Sequence, residues 1–127
     1  MTSVADSIRA EIRQLERTTP AILARIEAAI RTEPKNADLW VLRGDAIQQS
    51  DELTNPLTEV ERSYRKAIEI DPSSADAHES LGHFWFAVMN DATKAKPFFE
   101  RAVALGGGAS AKDALGEVLA ALRNIKR

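Results

Sequence analysis

Residues 33–38, Glu-Pro-Lys-Asn-Ala-Asp, are followed 38 positions later by a similar stretch, Asp-Pro-Ser-Ser-Ala-Asp at residues 71–76. Each copy keeps an acid, a proline, an alanine and an aspartate in the same order. Outside this stretch the same offset relates further residues: Gly44 to Gly82, Ala29 to Ala67 and Ile30 to Ile68. Several residues that share one offset define a repeating unit, and its length is typical of arrays of helical hairpins.

Apolar residues recur at helical spacing on both sides of each polar break. They form three corresponding stripes: Ile22, Ile26, Ala29 and Ile30; Val60, Tyr64, Ala67 and Ile68; Ala95, Phe99, Ala102 and Val103. The usual strand signals, alternating β-branched runs and Asn-Gly or Asp-Gly turns, are missing from the sequence. The pattern predicts an all-α chain whose neighbouring helices pack antiparallel. Its seven helices are expected at about residues 3–17, 20–33, 37–50, 56–70, 74–89, 93–105 and 110–125.

Helix ends are marked by proline and glycine. Thr19-Pro20 and Asn55-Pro56 each combine an N-cap residue with proline at the first helical position. The glycines at 106–108 predict that the sixth helix ends in the left-handed conformation. One apolar stripe follows them and predicts a capping helix at about 110–125: Ala111, Ala114, Leu115, Val118, Leu119, Leu122 and Ile125.

Length and composition set the class of protein. A chain of 127 residues predicts one domain. With 44% hydrophobic and 28% charged residues, a soluble globular protein is expected. The net charge of -2 argues against nucleic acid or anionic lipid as the main partner. No apolar run is long enough to cross a bilayer, and the first residues resemble neither a secretory signal nor a transit peptide. A cytoplasmic location is therefore expected.

Residues that could carry out chemistry are few. The sequence has no cysteine, which excludes thiolate catalysis and Cys-ligated metals. His78 and His83, its two histidines, are five residues apart and so would not share a helix face. Neither a carboxylate cluster with ligand-like spacing nor a Gly-x-Ser-x-Gly motif is present. We expect a protein that is not an enzyme and that needs no metal or cofactor.

Two segments carry a recognisable packing signature. Segment 37–74 contains Trp40, Gly44, Tyr64, Ala67 and Pro72, and segment 75–108 contains Leu81, Gly82, Ala95, Phe99 and Ala102. These residues resemble the signature of the tetratricopeptide repeat in type and spacing. Segment 3–36 resembles a degenerate unit that retains Ile22, Ile26, Ala29 and Pro34. The turn at 51–55 makes the second unit longer than the usual repeat.

The resemblance implies a fold and a general function. It predicts a single domain over residues 1–127, a right-handed α-α superhelix of about three hairpins plus the capping helix. Small residues in the signature let helix backbones approach, and aromatic residues fill the spaces between them. Such a signature carries no chemistry. It implies a non-catalytic module that binds a peptide or a protein segment.

In this family the first helix of each unit lines a concave groove. The groove-facing positions correspond here to Asp38, Val41, Asp45, Gln48 and Gln49 in the second unit, and to Asp76, Glu79, His83, Phe86 and Ala87 in the third. Four of these ten residues are acids and none is Lys or Arg. Residues 37–74 hold four bases and eight acids, a net charge of -4, whereas residues 106–127 have a net charge of +2.

The acids of the groove have two interpretations. Asp38 and Asp76 lie in the first turns of their helices, where a carboxylate is favoured by the helix dipole. Asp45 and Glu79 lie deeper and are better candidates for ligand contacts. The same helices also offer the contacts Gln48, Gln49, His83 and Phe86. We therefore expect a basic or amphipathic peptide in the groove, and the acids disfavour the carboxylate clamp of chaperone-binding family members.

Other functions stay open. The apolar or convex helix faces could support a structural role through self-association, with Phe98 as a candidate interface residue. A chaperone-like or immunity-like protein that masks one partner is a third possibility.

Arg43 occupies a position where the family places leucine. Its stem could lie along apolar surface with the charged head in water, or the head could form an ion pair with a nearby acid, for which Glu69 and Asp45 are candidates.

Overall fold

The computed structural model describes residues 3–15, 17–50 and 57–125, and all the regular structure in this part of the chain is helical. The predicted all-α class is confirmed. Seven helices follow one another in these ranges: α1 (Val4–Leu15), α2 (Pro20–Thr32), α3 (Ala37–Gln48), α4 (Leu57–Ile70), α5 (Ala75–His83), α6 (Ala92–Ala104) and α7 (Gly108–Ile125). The described ranges include one isolated parallel bridge, between Thr18 and Ser50, outside the helices.

Polar side chains fix where the helices begin. Asn36 accepts a hydrogen bond from the backbone N–H of Leu39, 3.4 Å away, and Ser74 accepts one from Ala77 at 3.1 Å. These two N-caps are related by the 38-residue repeat, so the repeated stretch starts α3 and α5 in the same way. The predicted cap of α2 is confirmed, because Thr19 Oγ1 accepts from the N–H of Ile22. The predicted Asn55-Pro56 start and the longer turn at 51–55 lie outside the described residues.

The end of α6 confirms the prediction made from the three glycines. Gly106 has a φ of +88° and Gly108 a φ of +75°, backbone conformations that favour glycine. The N–H of Gly107 donates to the carbonyl of Ala102 at 2.9 Å, and this bond closes the helix. The chain then turns directly into α7, which begins two residues earlier than the predicted position 110.

Helix α5 continues into a π-helical segment, Phe84–Val88, instead of keeping α geometry to residue 89. The N–H of Met89 donates to the carbonyl of Phe84, five residues back, at 3.0 Å. A π turn is wider than an α turn, and it holds Phe84 and Trp85 together in buried positions, with their rings edge to face at 5.3 Å. Asn90 ends the segment with a φ of +54°.

The described residues divide into two compact units, one within Met1–Asp71 and the other within Pro72–Arg127. In the first unit, α1 packs on α2 and α3, α2 packs on α3, and α3 packs on α4. The predicted stripe of α2 is buried at its three isoleucines, and α1 and α3 complete this core: Ala5, Ile8, Ile12, Ile22, Ile26, Ile30, Leu39, Leu42 and Ala46.

In the second unit, α6 packs on both α5 and α7. Its core contains three of the four residues of the predicted α6 stripe, with Val103 half-buried, and three of the seven of the α7 stripe: Ala77, Leu81, Phe84, Trp85, Ala92, Ala95, Phe99, Ala102, Ala111, Ala114 and Val118. The rest of the α7 stripe is less covered, because Leu115 and Leu122 are half-buried and Leu119 is 39% exposed. The side chain of Ile125 lies outside the described part.

Each unit contains one hairpin in which a glycine faces a buried aromatic ring. A methyl group added at Gly44 of α3 would lie 2.5 Å from Cε1 of Tyr64 in α4. One added at Gly82 of α5 would lie 2.8 Å from Cε1 of Phe99 in α6. Both rings are almost completely buried and cannot move aside into solvent. The two glycines therefore set how closely the paired helices approach.

Arg43 lies inside the first unit, where the expected ion pair with a nearby acid is present but involves a different acid from the two candidates. Its side chain is only 10% exposed, so the charged head is not in water. The guanidinium donates to Glu59 Oε1 at 2.9 Å and to Ser63 Oγ at 2.7 Å, rather than pairing with Glu69 or Asp45. Glu59 and Ser63 lie one turn apart on α4, so the pairing joins α3 to α4.

No helix in the described ranges is both long and apolar enough to cross a membrane.

We predict that Gly44→Ala destabilises the protein, because the added methyl group overpacks the contact with Tyr64. Overpacking costs about 1–3 kcal/mol, which exceeds or offsets the roughly 1 kcal/mol gained from better helix propensity. Gly116→Ala in α7 is the matched control, because its methyl group would point into open space. Urea unfolding should show a loss for Gly44→Ala and no loss for Gly116→Ala. Equal stabilisation of both variants would contradict the proposed close approach.

The ion pair of Arg43 predicts an acid-sensitive contribution to stability. The hydrogen bond from Arg43 lowers the pKa of Glu59 below its ordinary value of 4.5. The unfolded chain therefore takes up a proton at this position before the folded chain does, and stability falls as the pH drops below about 4.5.

The measurement is the difference in unfolding free energy between the wild type and Glu59→Gln from pH 6 to pH 3. We expect this difference to shrink as the pH falls. Glu100→Gln removes the same charge from an exposed position on α6 and serves as the control. A difference for Glu59→Gln that stays constant across the range would contradict the prediction.

Candidate functional site

The predicted contacts on α3 occupy different environments. Asp38, Gln48 and Gln49 are exposed, and Asp45 is half-buried. Val41 differs from them because only 4% of its surface is exposed and it does not line the cavity between α1 and α3, so its side chain serves packing. The resemblance placed Val41 by helix position alone, and a large apolar side chain at that position is buried here.

Helix α1 brings an arginine to the predicted acidic face. The guanidinium of Arg9 lies on the carboxylate of Asp38, with Nη1 3.0 Å from Oδ2 and Nη2 2.6 Å from Oδ1. The hydrogen bond to Asp38 raises the pKa of Arg9. The charge of Asp38 is thus balanced by a residue that the resemblance did not identify, because the first helix of the degenerate unit carries little of the signature.

The sequence did contain a signal for this arginine. Ala5, Ile8 and Ile12 form the buried side of α1. Asp6, Arg9 and Arg13 follow one another at intervals of three and four residues, which places them along one side of the helix. What the helix periodicity could not specify is that this side lies next to α3.

Asp45 and Gln48 are both joined to the buried ring of Tyr64. The hydroxyl of Tyr64 donates to Asp45 Oδ1 at 2.6 Å, and Gln48 Nε2 donates to the same hydroxyl at 2.6 Å. Burial raises the pKa of Tyr64, and the carboxylate of Asp45 raises it further. The phenol therefore stays protonated and holds Asp45 in place at the surface of α3.

An open cavity of about 390 Å³ lies between α1 and α3. Ile12 and Leu42 form its apolar floor, and both are buried. Its rim is polar and carries both charge signs: Asp6, Arg9, Arg13, Asp45 and Gln49. The cavity can take an apolar side chain on its floor, with polar or charged groups of the same ligand at its rim.

The predicted contacts of the second unit are joined to α7. Glu79 is 17% exposed, and its Oε2 accepts a hydrogen bond from Ser110 Oγ at 2.6 Å. His83, one turn further along α5, has its Nε2 3.5 Å from the same oxygen, and its ring meets Phe99 edge to face at 4.9 Å. Glu79 therefore helps to attach α7 to α5, in addition to any ligand contact.

The remaining predicted positions of this unit lie at the two ends of α5. Asp76 is exposed in the first turn of the helix, as the helix-dipole interpretation requires. Phe86 is half-buried and Ala87 is exposed, and both lie in the π-helical segment.

Among the described residues, no group of three or more His, Asp or Glu side chains could hold a metal ion.

No model of a known protein family matches the chain, and no curated protein matches its sequence. The resemblance to the tetratricopeptide repeat accordingly rests on the signature residues alone.

A double-mutant cycle on Arg9 and Asp38 tests the pairing of α1 with α3. We expect a coupling of about 0.2–1 kcal/mol at low salt between Arg9→Gln and Asp38→Asn, as for other partly exposed ion pairs. The coupling should decrease in 1 M salt, which screens exposed charges. Arg25→Gln, which removes a guanidinium paired with Glu11, should combine additively with Asp38→Asn. Zero coupling for Arg9 and Asp38 at low salt would mean that the pair does not join these helices in solution.

Proposed function

We propose that the protein is a non-catalytic interaction module of the tetratricopeptide type, in which helical hairpins form a right-handed superhelix that binds a peptide or protein segment. The observation that carries the proposal is the open cavity between α1 and α3. It has an apolar floor and a polar rim, and its walls are helices that the resemblance assigns as the first helices of successive units. Repetition of the Gly44–Tyr64 contact as Gly82–Phe99 supports the same assignment.

The preferred ligand follows from the rim of this cavity. Arg9 balances Asp38, so the face is less acidic than α3 alone suggests. Asp45 is held beside the cavity by Tyr64, and Asp6 lies across from it on α1. We propose an amphipathic segment whose apolar residue contacts Ile12 and Leu42 and whose basic residue contacts Asp45 or Asp6. A cytoplasmic location suits a module of this kind that contains no cysteine.

The second unit offers its own contacts for such a segment. Glu79, His83 and Phe86 are its candidates, with an acid, an imidazole and an aromatic ring along α5 and its π-helical extension. Because Glu79 also accepts from Ser110, a variant that keeps the acceptor and removes only the charge is needed to test it.

The test uses random twelve-residue peptides displayed on phage and selected on the wild-type protein. Selected peptides are then measured by fluorescence anisotropy against Asp45→Asn and Glu79→Gln. Both substitutions keep a side-chain oxygen that can accept from Tyr64 or Ser110, so the fold is preserved while the negative charge is lost. Asp113→Asn, an exposed position on α7, is the matched control.

We expect peptides with basic and apolar residues, bound about three to ten times more weakly by Asp45→Asn or Glu79→Gln, and unchanged by Asp113→Asn. A factor of ten corresponds to about 1.4 kcal/mol. Peptides whose affinity is equal for all variants would contradict the proposed site. Concentration-dependent self-association in sedimentation, with no peptide selected, would favour the structural alternative.

A further inference from the structure

The two units differ in what their cations contact. In the first unit, several arginines are paired with carboxylates on the same or a neighbouring helix, as in Arg9 with Asp38, Arg43 with Glu59 and Arg65 with Glu61. On α6 and α7, no Lys or Arg forms an ion pair with a described residue: Lys94, Lys96, Arg101, Lys112 and Arg123. Lys94 instead lies over the ring of Trp85, 4.5 Å from its centroid. These five cations outnumber the three acids of the same helices, Glu100, Asp113 and Glu117, so α6 and α7 together carry a net charge of +2.

Two of these cations border an apolar groove. Lys96 of α6 and Arg123 of α7 line an open cavity of about 290 Å³ together with Leu119 and Leu122. Leu119 is 39% exposed, although it belongs to the same apolar stripe as the buried Ala111, Ala114 and Val118. The groove is thus the uncovered continuation of the core stripe of α7, and a cation from each helix stands beside it.

The charges around the groove indicate the sign of its occupant. Glu100 lies one turn after Lys96 on α6 but forms no ion pair with it. An apolar ligand with carboxylates would cover Leu119 and would balance Lys96 and Arg123 at the same time.

A second copy of the chain is a less suitable occupant. Five of the described acids in residues 37–74 are engaged within their own unit, including Asp45 with Tyr64 and Glu59 with Arg43. If these acids bound another copy instead, the contacts would break. Arg43, whose side chain is only 10% exposed, would then be a buried charge without Glu59 as its partner.

We propose that the α6/α7 groove, formed by Lys96, Leu119, Leu122 and Arg123, is a second interaction surface that binds an acidic amphipathic segment of a partner protein. Apolar side chains of this segment lie on Leu119 and Leu122, and its Asp or Glu residues contact Lys96 and Arg123. The surface belongs to the second unit alone and has the opposite charge preference to the α1/α3 cavity, so it does not depend on the function proposed above.

The experiment selects twelve-residue peptides, displayed on phage, for binding to the wild-type protein. Peptides that also bind a triple variant are removed; this variant combines Lys96→Gln, Leu119→Gln and Arg123→Gln. All three positions are at least partly exposed, so the variant is expected to fold, and circular dichroism and urea unfolding check this. The matched control, Arg101→Gln with Lys112→Gln, removes two exposed unpaired cations from the same helices outside the groove.

We expect the retained peptides to combine Asp or Glu with Leu, Ile or Phe. By fluorescence anisotropy, their affinity should fall about tenfold or more in the triple variant and severalfold between 50 and 200 mM salt. The affinity of these peptides should be unchanged in the control and in Asp45→Asn. An unchanged affinity in Asp45→Asn distinguishes binding at the α6/α7 groove from binding at the α1/α3 cavity.

Three results would overturn the proposal. The first is that no peptide distinguishes the wild type from the triple variant. The second is that the peptides which do so are basic or uncharged. The third is that vesicles containing phosphatidylglycerol, and no peptide, bind in a manner sensitive to the triple variant, which would make the groove a lipid-binding surface.

Discussion

The contact between a helical glycine and a buried aromatic ring is the constraint on which both units depend. At Gly44 and Gly82 the backbone approaches Tyr64 and Phe99 so closely that even a methyl group would overlap the ring. Each contact fixes the spacing of one hairpin, α3 with α4 and α5 with α6. Side chains on the opposite sides of these helices form the surface of the hairpin. The distance between the two helices sets how far apart these side chains lie.

Tyr64 joins this packing to the candidate site, because its ring fills the space beside Gly44 while its hydroxyl positions Asp45 and Gln48. Phe99 fills the same role in the second hairpin but has no hydroxyl. There the ring supports His83 through an edge-to-face contact, and Glu79 is held by Ser110 of α7 instead. The two hairpins therefore share their internal packing and differ in the surface chemistry that the packing supports.

Tertiary contacts, and not the local sequence, determine which charges remain unbalanced at the protein surface. The -4 net charge of residues 37–74 suggested an acidic face. Arg9 from a different helix balances Asp38, and Arg43, counted within the segment, is buried against Glu59. The resulting cavity has both charge signs at its rim. The cations of α6 and α7 have no such partners among the described residues, so their charges remain available at the surface of the second unit.

The sequence alone determined the all-α class, the seven helices and most of their buried faces, because helical periodicity, N-caps and glycine ends are local properties that each segment carries itself. It also identified Gly44 and Gly82 through their common offset. The tertiary structure decided which side chains meet, as Arg9 does with Asp38 and Arg43 with Glu59. It also buried Val41, and it placed the buried Phe84 and Trp85 in a π-helical segment. These pairings join residues up to 29 positions apart. They depend on how the helices pack, which no local pattern specifies.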